Sequence, residues 1–401
     1  ADIDTAFSDF MPTIGLNMRQ FDMMMKIYKI LSQKYDVVCT NPPYMGGSGM
    51  NAKLSEFVKS KFPDSKSDLF ACFIEKCGQL AKPHGFYAMI TQHAFMFLSS
   101  YENLRRKLML KTTVNMAHLG ARAFDEIGGE VVQTTAFVMT GHIKDYKGTY
   151  ARLVDTVGEN EKRDLFLSGD KRFAAKQENF SKIPGMPVAY WVSENFIRAF
   201  ERGISIDSIS DFTGSQHITA NNDKYLRLHW EIDANKVGMG KKWVYYAKGG
   251  DFRKWYGNIE LVVDWSEGAV QYYKTNSTSN LLAEKYRFKE GITYTELTSS
   301  VNTFRYLPPV CIFDKKGPSI VSVKKLWYCL GIFGTKIAPL YFAILNPTLS
   351  TQVRDVKNLP IIVNGEIEPK IDEIVKENVE ICKQDWNDFE TSWGFEKHPL
   401  I

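Results

Sequence analysis

The sequence lacks long apolar runs and clustered metal-binding residues. No stretch among its 401 residues approaches the roughly 20 apolar residues that a membrane-spanning helix requires, and the N-terminus lacks the basic and then apolar pattern of a signal peptide. The six cysteines form no C-x-x-C pair and the seven histidines form no H-E-x-x-H motif, which argues against metal sites. These absences predict a cytoplasmic protein with no membrane partner and no metal.

The glycines near residue 45 lack the spacing of a phosphate-binding loop. Residues 45–50 read Met-Gly-Gly-Ser-Gly-Met, without the G-x-G-x-x-G or G-x-x-x-x-G-K-S/T pattern. A glycine-rich stretch of this kind predicts a mobile loop.

Length, composition and charge suit a large nucleic-acid-binding protein. With 44% hydrophobic residues, the chain can bury substantial cores, and its length predicts two to three domains. The net charge of +4 is uneven, because residues 285–357 hold eleven Lys or Arg and four Asp or Glu, a local charge of +7. Basic residues beside aromatic ones suit a phosphate backbone and stacked bases, although a solvated face of lysines gives the same count.

The most informative motif is Asn41-Pro42-Pro43-Tyr44, which follows Tyr-Asp-Val-Val-Cys-Thr at 35–40. That apolar segment predicts a buried strand of a parallel sheet, and ligands of open α/β sheets bind beyond the carboxyl ends of the strands. A lone Asn-Pro-Pro can also be an ordinary turn. Its place after such a strand favours a functional site.

The residue types of this motif suit the methylation of an exocyclic amine. The amine of adenine or cytosine is a poor nucleophile because its lone pair is delocalised into the ring, and two hydrogen-bond acceptors can draw its protons out of the ring plane. Asn41 can supply an amide oxygen and Pro42 a backbone carbonyl, while Pro42 and Pro43 stiffen the loop and keep both acceptors aimed. Tyr44 offers a ring face on which a flipped base can stack.

Periodicity predicts an α/β chain. A helix is predicted over 69–81, with Ser67 or Asp68 as its N-cap. A strand over 86–91 completes a parallel βαβ unit. A helix over 101–110 and strands over 113–119 and 131–139 end the first region. After the polar segment 144–182, short strands with Gly and Asn turns predict a mixed domain, and apolar residues over 371–386 predict one amphipathic helix.

Residues 36–46, which contain the Asn-Pro-Pro-Tyr motif, resemble the fourth motif of adenine-N6 DNA methyltransferases of the Eco57I type, and in particular those of BREX phage-exclusion systems. The stretches 67–70, 130–135, 248–256, 345–349 and 385–393 also fit, so the resemblance runs from near Asp2 to Ile401. It implies an α/β fold, with part of a Rossmann-like methyltransferase sheet, a mixed α+β target-recognition domain and a C-terminal helix. The implied parts are the C-terminal half of the catalytic domain at 1–142, a linker at 143–192, the recognition domain at 193–360 and a helical segment at 361–401.

The same resemblance implies S-adenosylmethionine as methyl donor and assigns roles to single residues. Asn41 and Asp68 would contact the cofactor, and Phe124 would stack on the face of the adenine opposite Tyr44. The plain alternatives are a helix cap for Asp68 and a core aromatic for Phe124. Contacts to DNA are predicted for polar and basic residues of the second region: Asn222, Arg227, Lys241, Lys242, Lys248, Arg253, Lys254, Arg305, Lys315 and Lys316.

One feature of the family is missing. Its members carry a glycine-rich cofactor loop before the Asn-Pro-Pro-Tyr motif, whereas Gly15 is the only glycine before Asn41. Residues 211–216 contain a single glycine, Gly214, and resemble the entrance to the recognition domain instead. We therefore expect the chain to be a C-terminal fragment of a longer enzyme, consistent with Ala1 in place of an initiating Met, and to be inactive alone.

These observations predict a site-specific DNA adenine-N6 methyltransferase of a phage-defence or restriction-modification system. Its expected partners are double-stranded DNA and other proteins of a defence complex. Two alternatives stay open: methylation of RNA or of a protein amide, and a catalytically silent DNA-binding module. A fused nuclease is not favoured, because Pro63-Asp64 lacks an Asp/Glu-x-Lys partner in a nearby predicted strand.

Overall fold

The computed structural model describes residues 18–124, 132–212, 216–297, 302–346 and 351–401. The chain divides into two compact units. Unit 1 comprises residues 1–181 and 185–191, and unit 2 comprises residues 182–184 and 192–401.

Unit 1 is a six-stranded mixed sheet with helices. Its strands are β1 (Tyr35–Thr40), β2 (Ala81–Gln92), β3 (Thr112–Gly120), β4 (Thr134–Thr140), β5 (Lys147–Arg152) and β6 (Arg172–Lys176), in the order β1-β2-β4-β3-β5-β6. Its helices are α1 (Met18–Ser32), α2 (Ala52–Lys61), α3 (Leu69–Leu80), α4 (Glu102–Leu108) and α5 (Glu159–Ser168). The strands β1 and β2 pair in parallel, which confirms the predicted α/β fold.

Helix α3 forms where its apolar spacing predicts it. Asp68 caps its first turn by accepting a hydrogen bond from the Phe70 N–H at 3.2 Å. Phe70, Ile74 and Cys77 recur at helical spacing and are buried in the unit 1 core, so burial of one apolar stripe fixes the helix on the sheet.

Two features of unit 1 differ from the sequence prediction. Strand β1 is an edge strand, and Val37 on it is 63% exposed, so β1 is not buried on both faces. The segment 143–192, predicted as a linker, contains β5, α5 and β6. Because β6 is the other edge strand and β5 exposes alternate residues, their sequences are polar.

Gly148 of β5 is required by the packing, since a Cβ there would lie 2.5 Å from the Thr113 carbonyl oxygen.

Unit 2 contains two four-stranded sheets and a two-stranded pair. The strands are β7 (Ile204–Ser205), β8 (Asp211–Phe212), β9 (Leu226–Leu228), β10 (Trp243–Ala247), β11 (Leu261–Asp264), β12 (Gly291–Tyr294), β13 (Phe304–Leu307), β14 (Cys311–Phe313), β15 (Ser319–Val321) and β16 (Pro360–Ile361). The strand orders are β14-β10-β11-β9, β13-β12-β15-β8 and β16-β7. The predicted mixed domain is therefore confirmed.

The helices of unit 2 are α6 (Glu194–Arg202), α7 (Asn222–Tyr225), α8 (Glu267–Thr275), α9 (Leu326–Gly334), α10 (Ala338–Leu345), α11 (Val353–Lys357) and α12 (Glu368–Asn387). The helix predicted near the C-terminus is α12. It buries Val375, Val379 and Trp386 in the same core as the β12-β13 sheet, so the segment 361–401 lies within unit 2. Gly331 permits this packing, because a Cβ there would lie 2.9 Å from a Val375 methyl carbon.

The most apolar helices of unit 2, α9 and α10, meet at an angle of 80°. They bury Leu330, Phe333 and Phe342 in its core. Within the described ranges no single helix is long and apolar enough to cross a membrane, and this bent pair meets the length and composition criteria only when both helices are taken together.

Candidate functional site

The carboxyl ends of four strands meet at one edge of the unit 1 sheet. The pairings make β1, β2, β3 and β5 parallel to one another, with β4 antiparallel between β2 and β3. Asn41 follows β1, His93 follows β2, and Phe124 lies four residues beyond β3. This edge is where ligands of open α/β sheets bind.

The Asn41-Pro42-Pro43-Tyr44 motif starts directly at the end of β1. Pro42 is buried, whereas Asn41 and Pro43 are exposed and Tyr44 is 36% exposed. The Tyr44 ring packs edge-on against Phe70, with ring centroids 6.1 Å apart and an interplanar angle of 82°. Phe70 is fully buried and contacts Tyr101 in turn, at 5.7 Å. The Tyr44 ring is therefore held in place by the core while part of it stays accessible.

Asp68 ties the residues after Tyr44 to the start of α3. Its Oδ1 accepts from the Met45 N–H at 2.9 Å and from the Phe70 N–H at 3.2 Å. Two backbone bonds support this contact, from Gly47 N to Ser67 O and from Leu69 N to Met45 O, both 3.1 Å. The glycine-rich stretch predicted as a mobile loop contains a 3-10 turn at Gly47–Gly49. Burial and the Asp68 charge raise the pKa of Tyr44, so its phenol is neutral.

Asp68 is thus a helix cap, the plain alternative for this residue, and it also anchors the loop. We expect Asp68→Ala to cost about 1 kcal/mol of stability and, in the protein that carries this chain, to slow the predicted methyl transfer about tenfold, since a loosened loop no longer aims its groups. Asp68→Asn retains the acceptor oxygen and should retain activity. Both effects can be measured by denaturant unfolding and single-turnover kinetics.

Asn51 provides the matched control, because its Oδ1 caps α2 through the Leu54 N–H at 3.0 Å. Asn51→Ala should cost similar stability and leave methyl transfer unchanged. Equal losses of methyl transfer in the two alanine variants would show that capping alone, and not the anchoring of the loop, explains the role of Asp68.

Phe124 is 39% exposed and lies at the same sheet edge as Tyr44. Its stacking role and the cofactor roles of Asn41 and Asp68 stay predictions. Residues 125–131, which follow Phe124 and include the first two residues of the stretch 130–135, lie outside the described residues.

Seven of the ten predicted DNA-binding residues of unit 2 fall into two groups at opposite ends of β10. Lys241 and Lys242 precede β10 and Lys248 follows it, so the groups are roughly 17 Å apart at 3.3 Å per residue. Asn222 and Arg227 lie at the same end of β10 as Lys241 and Lys242. The first residue of β9 pairs with Val263 of β11, and the next residue of β11 pairs with Trp243 at the start of β10.

The second group consists of Lys248, Lys315 and Lys316, which lie on two loops that approach each other at glycine residues. A Cβ on Gly317 would lie 2.5 Å from the Gly249 nitrogen, so only glycine permits this approach of two loops. The contact brings Lys248 close to Lys315 and Lys316, and the latter two are exposed. Lys316 also pairs with Glu296 at 3.0 Å.

Three of the predicted DNA-binding residues also have structural contacts. Arg253 bonds Asp385 at 3.0 Å and lies 4.6 Å over the Trp386 ring. Arg227 donates to the carbonyl oxygens of Asp223 and Leu226 at 2.7 and 2.6 Å. Asn222 accepts a hydrogen bond from Thr219 at 2.6 Å. Lys254, which follows Arg253, is exposed.

Arg305 was predicted to contact DNA, and the structure contradicts this prediction. It is 1% exposed, and its guanidinium donates to Arg253 O at 3.4 Å and Thr295 Oγ1 at 3.3 Å. Burial lowers its pKa to about 10. A guanidinium enclosed in unit 2 cannot contact a phosphate, so Arg305 is left out of the proposed DNA contacts.

Sequence reasoning missed a histidine pair at the sheet edge, in which His118 is buried and His93 is half-buried. His93 Nδ1 lies 2.8 Å from His118 Nε2, and His118 Nδ1 lies 3.1 Å from the Tyr190 hydroxyl. The three residues are far apart in the chain, so no local pattern signals their contact. Across the described ranges no group of three or more His, Cys, Asp or Glu is arranged to hold a metal ion.

The chain is similar in sequence to known adenine-specific methyltransferases. The Eco57I restriction-modification methylase family matches residues 5–121. The chain is 36% identical over 404 residues to the adenine-specific methyltransferase PglX of Lacticaseibacillus casei, covering 94% of this chain and 33% of that protein. It is 39% identical over 384 residues to the adenine-specific methyltransferase BrxX of Escherichia coli O9:H4, covering 93% of this chain and 31% of that protein.

The chain therefore spans about a third of the length of these relatives. Among solved structures, the type IIL restriction-modification enzyme MmeI in complex with DNA is similar with a TM-score of 0.57 and 12% identity. The match covers 91% of this chain and 52% of that one. At this level of identity the match shows a shared fold.

Proposed function

We propose that this chain takes part in methylating adenine N6 in double-stranded DNA, because its residues 5–121 match the Eco57I restriction-modification methylase family and most of its length is similar to adenine-specific methyltransferases. The setting is cytoplasmic, in a phage-defence or restriction-modification system, together with other proteins of a defence complex. One observation carries the proposal. The Asn41-Pro42-Pro43-Tyr44 motif lies at the carboxyl end of β1, with its tyrosine ring held by Phe70.

Each residue of the motif has a task in this reaction. The amide oxygen of Asn41 and the carbonyl oxygen of Pro42 accept the two N6 protons, which releases the nitrogen lone pair for attack. Pro42 and Pro43 restrict φ, so the acceptors need not reorganise. Tyr44 stacks on one face of the flipped base, a contact worth about 1 to 3 kcal/mol, and Phe124 stacks on the other.

The residues of this chain fit only part of a cofactor site. S-adenosylmethionine supplies an electrophilic methyl group when it is bound, and Asn41 and Asp68 are the residues proposed to contact it. The Oδ1 atom of Asp68 already accepts two backbone N–H groups, and β1 is an open sheet edge. These contacts lie on one side of a ligand, and they leave most of its surface in water.

We therefore expect the 401-residue chain alone to bind S-adenosylmethionine no tighter than millimolar, because so few contacts cannot offset the entropy lost on binding. Calorimetric titration measures this directly, with S-adenosylhomocysteine as a second ligand. Micromolar binding would place the cofactor site elsewhere in the chain, and residues 211–216 would be the first candidates.

Unit 2 is proposed to bind the DNA backbone through Lys241, Lys242, Lys248, Lys254, Lys315 and Lys316, assisted by Asn222, Arg227 and Arg253. We expect the double variant Lys248→Gln, Lys315→Gln to weaken DNA binding and to reduce the slope of log K against log salt by about 1.8, since each phosphate contact contributes about 0.9. Fluorescence anisotropy at four salt concentrations measures that slope.

The matched control replaces Lys370 and Lys397, two exposed lysines elsewhere in unit 2, with glutamine. This control changes the net charge by the same amount and should leave the slope unchanged. If both double variants shifted the slope equally, DNA binding would reflect the net charge and not these loops.

The proposed activity is tested by offering three acceptors together. The protein that carries this chain is incubated with methyl-labelled S-adenosylmethionine, duplex DNA, RNA and protein, and the label is traced by mass spectrometry. The proposal predicts label in N6-methyldeoxyadenosine. Label in RNA or in a protein amide would show that this molecule, and not DNA, is the substrate. Binding of DNA without any label transfer would indicate a catalytically silent module.

A further inference from the structure

A chain of hydrogen bonds crosses the carboxyl edge of the unit 1 sheet outside the Asn-Pro-Pro-Tyr motif. His93 bonds His118 at 2.8 Å, and His118 bonds the Tyr190 hydroxyl at 3.1 Å. The positive charge of Arg152 lies near the Tyr190 oxygen and partly offsets the rise that burial causes in the pKa of this phenol, while Arg152 Nε donates to Asp155 Oδ2 at 3.3 Å. These side chains form one connected network that the proposed reaction does not yet use.

Arg152 sets the direction of the donors along this network. The positive charge of Arg152 attracts the lone pairs of the Tyr190 oxygen, so the O–H of Tyr190 points away from it and donates to His118 Nδ1. His118 then carries its proton on Nε2 and donates it to His93 Nδ1. Burial lowers the pKa of His93 to about 4 and that of His118 well below its usual value, so both rings are neutral near pH 7. His93 consequently carries its proton on Nε2, a donor that is left for a further partner.

The strand that leads to His93 lies between the strands that lead to the two aromatic residues proposed to hold the base. In the sheet order, β2 and β4 separate β1, which leads to Tyr44, from β3, which leads to Phe124. His93 is the first residue after β2. Its backbone N–H donates to Gln133 O at 2.9 Å, and its ring packs edge-on against Phe97 at 5.6 Å and 81°. The ring is therefore fixed at that point of the edge.

We propose that His93 donates a hydrogen bond from Nε2 to a ring nitrogen of the flipped adenine, with His118, Tyr190 and Arg152 as positioning residues. This inference rests on the proposed function and deepens it. The ring nitrogens N1, N3 and N7 of adenine are all acceptors, whereas Asn41 and Pro42 engage only the N6 protons. His93 adds recognition of the ring itself, and the network orients its donor before the base arrives.

Deaza analogues of adenine test the proposal, because each replaces one ring nitrogen by C–H. Methylome mapping first identifies the methylated position. The substrates are then duplexes that carry 1-deaza-, 3-deaza- or 7-deazaadenine at that position. For the wild-type protein we expect kcat/KM to fall about tenfold to a hundredfold with one of the three, since the His93 donor would face C–H in place of an acceptor. Similar kcat/KM for adenine and all three analogues would overturn the proposal.

The variant His93→Phe tests whether the fall in kcat/KM with one analogue depends on His93. It keeps the ring and removes the donor, so the sensitive analogue should be methylated no more slowly than adenine. His93→Gln can place an amide N–H near the position of Nε2 and should restore part of the discrimination. His84→Phe, at the exposed start of β2, is the matched control and should behave like the wild type.

The outcomes separate this inference from the proposed function. If the wild-type protein does not methylate adenine, the proposed function fails. If the wild type is active and His93→Phe shows the same analogue sensitivity as the wild type, only the role of His93 fails. Should His93→Phe not fold, as judged by circular dichroism, the wild-type analogue series and His93→Gln still decide the question.

Discussion

In the protein that carries this chain, replacing Asn41 with alanine is expected to slow the proposed methyl transfer by about a hundredfold to a thousandfold, the usual cost of removing one preorganised group at a reacting centre. The variant loses the amide oxygen that is proposed to accept an N6 proton. Asn41 is exposed in a loop beyond β1, so the sheet should remain intact. Affinity for DNA should stay within a few fold, because that affinity is proposed to come from unit 2. Single-turnover kinetics and anisotropy measure the two quantities.

Asn41→Asp is the matched control for this prediction. A carboxylate oxygen can accept the same proton, so we expect this variant to stay within about tenfold of the wild type. If Asn41→Ala retained full methyl transfer, the motif would be only a turn. If both variants were equally inactive, a role for the amide N–H groups of Asn41 would replace the acceptor role.

Acidification is expected to destabilise the protein through buried neutral histidines. Burial, assisted by the Arg287 charge, lowers the pKa of His217 to about 3, and burial lowers that of His93 to about 4. Because the folded pKa lies below the unfolded value near 6.5, the unfolded state binds more protons in acid. The contribution to stability is complete above pH 6.5 and is lost as the pH falls toward the folded pKa. Each histidine should cost about 2 kcal/mol by pH 5, at about 1.4 kcal/mol per pH unit.

His217 offers the sharper test of this prediction. It is fully buried, its ring lies 4.6 Å from that of Tyr273 at 90°, and neither of its ring nitrogens has a hydrogen-bond partner in the described part of the chain. His217→Phe keeps the aromatic packing and removes the titrating group. We expect the variant to gain about 2 kcal/mol relative to the wild type when the pH is lowered from 7.5 to 5.

Urea unfolding of both proteins at the two pH values measures this gain, and the fluorescence of Trp265, whose ring lies 5.5 Å from that of His217, reports on unit 2. His142→Phe replaces an exposed histidine and should show the pH dependence of the wild type. An unchanged pH dependence in His217→Phe would mean that other groups cause the loss in acid.

The parts of unit 1 with strong local patterns were predictable from the sequence. The apolar stripe and capping residue of α3 locate that helix to within a residue at each end. The β-branched segment at 35–40 coincides with β1. These elements carry their own signal, because burial of one helical stripe or of a run of apolar residues is decided locally. The Asn-Pro-Pro-Tyr motif was found for the same reason.

The rest depends on long-range contacts that no local pattern encodes. The polar strands β5 and β6 look like a linker, since they expose one face and gain their place by pairing with β3 and with each other. Arg305 looks like a surface cation in the sequence, yet it is enclosed in unit 2. The contact between His93 and His118 exists only because β2 and β3 both pair with β4. Register between distant strands, and not composition, decides all three.

The proposed role of the Asn41–Tyr44 motif in methylating adenine N6 of DNA can be tested directly in cells. The measurement is nucleoside mass spectrometry of chromosomal DNA from a host that lacks its own adenine methylation and expresses the protein carrying this chain. We expect N6-methyldeoxyadenosine with the wild type and none above background with Asn41→Ala at equal expression. N4-methyldeoxycytidine instead, or the same amount of N6-methyldeoxyadenosine with both proteins, would contradict it.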